Sequence, residues 1–386
     1  DHLPVANGQE RAFATALVRG VLERQITLDA LVDKFTTGRL KPKVRVLLRM
    51  GAYQALYMDK VPVPAAVNET VELAKTVGQG YYGRMINAVL RQIAADPDLP
   101  DTPTLRYSVP QPLLAMWQKT YGADATAAFL PYINGRAPLF LVPNSLFVTA
   151  AQLQDMLAEE GVQARLLPVK VLTVDDGFDV ERSAAFQKGY FHVQDLSCYL
   201  ACAALQVRPG LTVLDVCAAP GGKSINAALM ADIGHVSSRD ISGRKVSLIK
   251  ENAERLGIDN ITYKVWDAVK KDEESVEKAD VLICDLPCSG LGIIGRKPDI
   301  KYNVTYEKIK ELALLQRKIL STVWEYVKKD GILIYSTCTV TPEENAENTE
   351  WLVNNYPFEL IGKPEQIMPQ DGTGDGFYIA RLKRTE

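Results

Sequence analysis

The stretch Leu211 to Ser224, L-T-V-L-D-V-C-A-A-P-G-G-K-S, constrains the fold of this chain more than any other. Val213, Leu214 and Val216 make an apolar run of strand length, interrupted near its end by Asp215. Small residues and two glycines follow from Ala218 to Gly222, and a helix is predicted from Lys223 to Ala231. A strand, a tight small-residue loop and a helix are how an α/β fold brings backbone N–H groups close to a nucleotide. A G-x-x-x-x-G-K-[ST] phosphate loop would need glycine where Cys217 stands, and Ala218-Ala219-Pro220 cannot supply G-x-G-x-x-G. What remains is a loop for a nucleotide-like cofactor without phosphates, of which S-adenosylmethionine is the obvious case. An ordinary βα turn is the bland alternative.

With 386 residues the chain has room for two or three domains, and 47% apolar with 24% charged residues is a globular composition. No apolar run reaches bilayer length, so no membrane association is expected. A net charge of −3 argues against indiscriminate nucleic-acid binding but permits a local basic face. Such a face is expected at Arg39, Lys41, Lys43, Arg45 and Arg49, because no acidic residue lies between Phe35 and Met58. A solvated helix face is the competing reading. All six cysteines fall in the second half, none in C-x-x-C, and His2, His192 and His235 are scattered, so no metal site is expected. An irregular cysteine pattern without a signal segment points to a reducing cytoplasm. The start at Asp1, without methionine, reads as a trimmed N-terminus.

Residues 1–95 read as an all-helical domain, with Ala14, Leu17, Val18, Val21 and Leu22 at helical spacing and Val61-Pro62-Val63-Pro64 as a break. Proline-rich 96–112 reads as a linker. A small α+β domain is expected over 113–193, with strands at Leu139 to Val142, Arg165 to Leu172 and Gly189 to Val193 around a helix from Thr149 to Glu160. From 194 to 386 strands and helices alternate, implying an α/β domain with a mostly parallel sheet; the last helix is expected from Pro342 to Asn354. Gly376 to Leu382 is expected as an antiparallel strand at its edge.

In such a sheet the ligand lies beyond the carboxyl ends of the strands. After the second strand Asp240 can accept both ribose hydroxyls of an adenosine, and after the third Asp267 can accept from the adenine amino group. The fourth is followed by Asp285-Leu286-Pro287-Cys288-Ser289-Gly290 and the fifth by Ser336-Thr337-Cys338-Thr339. Two cysteines at adjacent strand ends suit methylation of C5 of a pyrimidine, a poor nucleophile in an aromatic ring. A thiolate adding to C6 makes C5 enamine-like and able to attack a sulfonium methyl group, with an Asp hydrogen-bonding or protonating N3. Cys338, Cys288 and Asp285 are the candidates, and this chemistry alone does not order the two thiols. Cys284, Cys198 and Cys202 read as core residues, and Cys217 as a loop residue acting through its backbone.

At these residues the chain resembles the Sun/RsmB (Fmu) branch of the Nol/Nop/Sun RNA cytosine-5 methyltransferases. The likeness rests on C-A-A-P-G-G-K at 217–223, D-x-P-C-S-G at 285–290, P-D-I-K at 298–301, Tyr335-Ser336-Thr337-Cys338 and Pro342-Glu343-Glu344-Asn345. Gly51 to Tyr57 and Ile86 to Arg91 are similar to the NusB-like RNA-binding domain that opens this branch. The resemblance implies a NusB-like helical bundle, a small α+β domain and a Rossmann-like methyltransferase domain. It implies 16S rRNA as substrate, with S-adenosylmethionine as donor and S-adenosylhomocysteine as product. The donor would be bound by Cys217, Ala218, Ala219, Pro220, Gly221, Gly222, Lys223, Asp240, Asp267 and Asp285. It also implies Cys338 as the nucleophile and Cys288 as the group that assists product release.

The chain departs from the family at Leu141-Val142-Pro143-Asn144-Ser145-Leu146-Phe147, where two basic residues are absent. The phosphate grip is therefore expected at Arg39 to Arg49 with Arg296, Lys297 and Lys301. A monomeric enzyme is expected; the alternatives are the same chemistry on tRNA and a non-catalytic RNA-binding assembly factor.

Overall fold

The computed structural model describes residues 8–135, 138–174, 178–203, 210–230, 234–371 and 374–386. Ala231, the expected end of the helix after the loop, lies outside them. The chain forms two compact units, 1–134 with 297–303, and 135–296 with 304–386.

The first unit contains helices Gly8–Glu23, Gln25–Lys34, Pro42–Tyr57, Val63–Thr76 and Gly83–Ala95. Pro42 and Pro64 sit in first turns, where a missing N–H leaves no helix bond unmade. The apolar stripes meet in one core that includes Leu28, Leu31, Leu48, Val67, Ile86 and Leu90. The expected linker is itself structured: Thr102 caps a helix Pro103–Tyr107 by accepting from the Leu105 N–H at 3.3 Å. Helices Gln111–Tyr121 and Ala123–Phe129 follow, so residues 113–134 belong with the helical unit rather than with the α+β segment.

A short piece from far along the chain completes this unit. In 297–303, the Lys301 ammonium donates to the Glu23 carbonyl at 2.7 Å and to Asn134 Oδ1 at 2.9 Å, and the Tyr302 hydroxyl donates to the Leu22 carbonyl at 2.7 Å. Leu22 and Glu23 end the first helix, where carbonyls lack an intrahelical partner. Lys301 is 1% exposed, which corrects its expected role as a phosphate contact.

The second unit holds two sheets. The smaller is antiparallel, in the order β2-β3-β1-β4, with β1 Leu139–Pro143, β2 Ala164–Leu166, β3 Leu172–Val174 and β4 Phe191–Val193. The single strand expected at Arg165 to Leu172 is two, because the chain reverses at Lys170, φ 61°. Helix Ala150–Glu159 opens on a capping box between Thr149 and Gln152. Asn144 donates to the carbonyls of Gly189 and Leu256, both at 2.8 Å, fastening the small sheet to the large one.

The larger sheet is built from β5 Thr212–Asp215, β6 His235–Asp240, β7 Ile261–Val265, β8 Ala279–Asp285, β9 Val327–Thr337, β10 Phe358–Leu360, β11 Glu365–Ile367 and β12 Phe377–Arg384. Its order is β10-β12-β9-β8-β5-β6-β7, with β11 also on β12. Strands β5 to β9 pair in parallel; β5, β6, β8 and the second half of β9 are largely buried because helices cover both faces, whereas the edge strand β7 is mostly exposed or half-buried. The last strand is not at the edge: β12 lies antiparallel between β9 and the short β10. The final helix begins at Ala346 rather than Pro342, since the Asn345 and Glu347 N–H groups both donate to the Pro342 carbonyl in a preceding turn. No described helix is long and apolar enough to cross a membrane.

Replacing Lys301 by Met keeps the apolar stem but leaves buried carbonyls unpaired. Lys301→Met is expected to destabilise the helical unit by about 1–3 kcal/mol, read as a lower midpoint in urea unfolding followed by helical circular dichroism.

Candidate active site

The loop after β5 closes by short local bonds. The Ala218 N–H donates to the Arg239 carbonyl at 2.8 Å and the Gly221 N–H to the Ala218 carbonyl at 2.7 Å. Gly221 has φ 109°, and a Cβ there would come within 3.0 Å of the Ile249 side chain, so the position requires glycine. Helix Gly222–Leu229 starts from it without a side-chain cap, leaving its first-turn N–H donors to the loop's concavity.

Asp240, the last residue of β6, accepts from the Ser242 N–H at 2.9 Å and the Ala219 N–H at 3.4 Å; beyond β7, Asp267 accepts from the Val269 N–H at 3.2 Å. Each carboxylate has further lone pairs for hydroxyl or amino donors. An uncapped helix end, two carboxylates and small loop residues form a donor and acceptor set that fits a phosphate-free nucleoside bearing a carboxylate.

Lys223 does not offer a free cation to a phosphate. It is buried, and its ammonium is 2.6 Å from Asp285 Oδ2, 3.6 Å from Cys198 Sγ and 4.9 Å from the centre of the Phe377 ring. Burial is the largest single influence and opposes its charge, but the Asp285 carboxylate together with the neighbouring cysteines holds the ammonium well above the usual lysine range. The Ser336 hydroxyl donates to Asp285 Oδ1 at 2.9 Å, so both carboxylate oxygens are engaged. Beneath the loop, Asp215 is fully buried and accepts from the Ser224 hydroxyl at 2.7 Å. Burial pushes its carboxyl up to about 7.

Register brings the two cysteines together. In the parallel β8–β9 pair Cys284 faces Tyr335 and Asp285 faces Ser336, and the chains then leave the sheet side by side. Cys288 and Cys338 meet with their sulfurs 3.2 Å apart. The Gly292 N–H donates to the Cys338 carbonyl at 3.1 Å, and a Cβ on Gly292 would lie 2.0 Å from the Gly376 oxygen, so only glycine fits that turn. The hydrogen bond with Cys338, then burial and the nearby Glu344 and Asp285 charges, raise the Cys288 thiol well above the ordinary cysteine range. Cys284 and Cys202 are core residues, as expected.

The expected basic face is smaller than its sequence suggests. Arg49 makes a two-pronged pair with Asp29, at 2.8 and 2.6 Å, and Arg45 bonds Asp29 at 3.0 Å and Asp33 at 2.7 Å. Their partners lie on the preceding helix, upstream of the acid-free interval, so these two arginines are internally neutralised. Arg296 is likewise committed, to Asp375 at 2.5 Å and Asp195 at 2.8 Å. Arg39, Lys41, Lys43 and Lys297 are exposed, and the Lys41 ammonium sits 5.3 Å from the centre of the Tyr82 ring. Sequence reasoning assigned no role to Glu344, which is fully buried beneath both cysteine loops; the motif Pro342 to Asn345 was its only signal.

A parallel sheet extended by an antiparallel strand, with a small-residue loop after β5 and acids after the next strands, defines a Rossmann-like methyltransferase domain, here following a helical unit of NusB type. The profile of the 16S rRNA methyltransferase RsmB/F family matches residues 202–383, and that of the NusB family matches residues 3–95. "Probable ribosomal RNA small subunit methyltransferase B" of Bacillus subtilis is 35% identical, over 97% of this chain and 91% of that protein. Ribosomal RNA small subunit methyltransferase B of Vibrio cholerae is 31% identical, over 99% and 92%. The crystal structure of PH0851 superposes with a TM-score of 0.85 at 26% identity, covering 98% of this chain and 91% of that one. The chain belongs to the RsmB/F family of 16S rRNA methyltransferases.

Asp215 has a raised folded-state pKa, so the native state holds more protons than the unfolded chain from 3.8 to about 7. Its contribution to stability is therefore complete at low pH and lost as pH rises through that window. Asp215→Asn is expected to flatten this decline, leaving the variant at least as stable as the parent at pH 8; thermal melts between pH 5 and pH 8 check it.

Proposed function

We propose that this chain transfers a methyl group from S-adenosylmethionine to C5 of a cytosine in 16S rRNA, through a covalent bond between Cys338 and C6. The observation that carries this reading is the contact of two thiols at neighbouring strand ends, 3.2 Å apart, beside a lysine–aspartate pair. Membership of an rRNA methyltransferase family supports the substrate class, and the fit of the β5 loop, Asp240 and Asp267 to a nucleoside supports the donor.

The order of the two thiols follows the family resemblance, which implies Cys338 as the nucleophile and Cys288 as the group that assists release. The contact with Cys338, followed by burial, raises the Cys288 thiol above the ordinary cysteine range, which suits a group that acts as a hydrogen-bond donor. As the Cys338 sulfur adds to C6, the ring electrons move toward N3, which takes up a proton. Asp285, held in place by Lys223 and Ser336, is the group that hydrogen-bonds N3 or passes it this proton, and it takes the proton back when the C6–S bond breaks and the ring regains aromaticity. The bound donor supplies an electrophilic methyl group for the enamine-like C5. Loss of the C5 proton to a base then lets the C6–S bond break. The Cys288 S–H lies in reach of the departing Cys338 sulfur and stabilises it as a thiolate.

Cys338→Ala is expected to abolish methyl transfer to undermethylated small-subunit rRNA, measured with labelled donor. Cys288→Ala is expected to complete a first methyl transfer and then accumulate a denaturation-resistant protein–RNA adduct on gels. An adduct in Cys338→Ala instead would reverse the two roles. Calorimetry should detect S-adenosylmethionine binding in both variants, and its absence from the parent protein would favour a non-catalytic RNA-binding factor.

A further inference from the structure

Below the sulfurs lies a hydrogen-bonded group that the proposed chemistry does not use. Ser289, directly after Cys288, is bound to Glu344 twice: its N–H donates to Oε1 at 2.7 Å and its hydroxyl to Oε2 at 2.6 Å. The Thr341 hydroxyl donates to Oε2 at 2.6 Å and the Gln316 side-chain amide to Oε1 at 3.2 Å. The same amide of Gln316 donates to the Pro287 carbonyl at 2.8 Å, on the other side of Cys288. Thr339, directly after Cys338, has its hydroxyl 2.7 Å from that of Ser289. Since the Ser289 proton is directed at Glu344, Thr339 is the donor in this pair. A chain of hydrogen bonds thus runs from Thr339 through Ser289 to Glu344, joining the residues that follow the two thiols.

We infer that Glu344 is a positioning residue whose carboxylate cross-ties the loop carrying Cys288 to the loop carrying Cys338 and so sets the approach of the two sulfurs. The inference rests on the roles proposed above for the cysteines. Glu344 is fully buried, and all four groups around its oxygens donate, so the form they hold is the carboxylate. Burial pushes its carboxyl up while those donors resist. Its own backbone is pinned as well, because the Tyr335 hydroxyl, rising from β9, donates to the Glu344 carbonyl. Glu344 touches neither sulfur. It acts through Ser289 and Thr339, and its negative charge is one of the lesser influences that raise the Cys288 thiol.

The test uses the full chain. Glu344→Gln preserves shape but turns an amide N–H₂ toward a neighbour that donates, which breaks the tie. Its kcat for rRNA methylation is expected to fall by about 10²-fold while RNA affinity stays within about twofold, since a misplaced group near the chemistry affects rate rather than binding. The protein–RNA adduct should persist, as in Cys288→Ala. With Cys338 replaced by Ala, the pH midpoint for alkylation of Cys288, followed by mass spectrometry, should move lower in Glu344→Gln because a neighbouring negative charge is gone.

Turnover at the parent rate, or a loss of RNA affinity in proportion to activity, overturns the proposal; the second is the signature of a merely structural residue. Should Glu344→Gln not fold, Ser289→Ala decides, because it removes one strand of the tie and keeps the backbone N–H. A persisting adduct supports the tie and parent-like release overturns it. Cys288→Ala run alongside separates the two levels. If it gives no adduct, the cysteine assignment fails; if it does and neither tie variant does, only the role of Glu344 fails.

Discussion

The parallel pairing of β8 with β9 is the constraint on which the site depends. Cys284 opposite Tyr335 and Asp285 opposite Ser336 fix where each chain leaves the sheet. Cys288 lies three residues past the first exit point and Cys338 two residues past the second, so their meeting at 3.2 Å follows from that alignment. A one-residue slip would turn every side chain of one strand to the opposite face. The apolar residues of both strands forbid it: Ile283 and Ile334 serve the core on one face, Leu282, Cys284, Leu333 and Tyr335 that on the other. Burial on both faces thus sets the geometry of the two sulfurs, of which Cys338 packs partly buried against the first core.

The Lys223–Asp285 pair links this corner to the β5 loop. Removing a lysine ammonium from water costs several kcal/mol, and a carboxylate at 2.6 Å offsets this only if geometry and further hydrogen bonds are favourable. Here the carboxylate stays one-third exposed while the lysine is 7% exposed, so the penalty falls mainly on one partner. Stability alone is a weak reason to retain such an arrangement. In the reaction proposed above, the same arrangement places a carboxylate, fixed by a lysine and a serine, beside the two cysteines.

Much of the fold was legible because its signals are local. The β5 strand, the small-residue loop and the helix after it are consecutive, and helical spacing in the first 95 residues needed no partner to be read. The acids after β6 and β7 followed from the rule that ligands lie beyond strand ends. What stayed hidden depends on residues distant in sequence. Ser289 and Glu344 are 55 apart, and Lys301 and Glu23 are 278 apart. No periodicity encodes such pairs. The position of β12 was missed for a related reason: a three-residue strand such as β10 carries too little pattern to announce itself, so β12 reads as an edge when it is not one.

The basic residues show how a charge count along the chain misleads. An acid-free interval from Phe35 to Met58 predicts a cationic face only if the helix bearing it has no acidic neighbour in space. Asp29 and Asp33 lie just outside that interval but on the adjoining helix, where antiparallel packing brings them to Arg45 and Arg49. A phosphate would have to compete with a two-pronged carboxylate for Arg49, whereas Arg39, Lys41 and Lys43 keep their charges exposed at the start of the same helix. Those cations sit where the helix dipole is also positive, an arrangement that costs free energy in the isolated protein and is relieved by a polyanion. Of the expected basic face, the exposed charge thus lies at one end of Pro42–Tyr57, and the arginines further along that helix hold it against its neighbour.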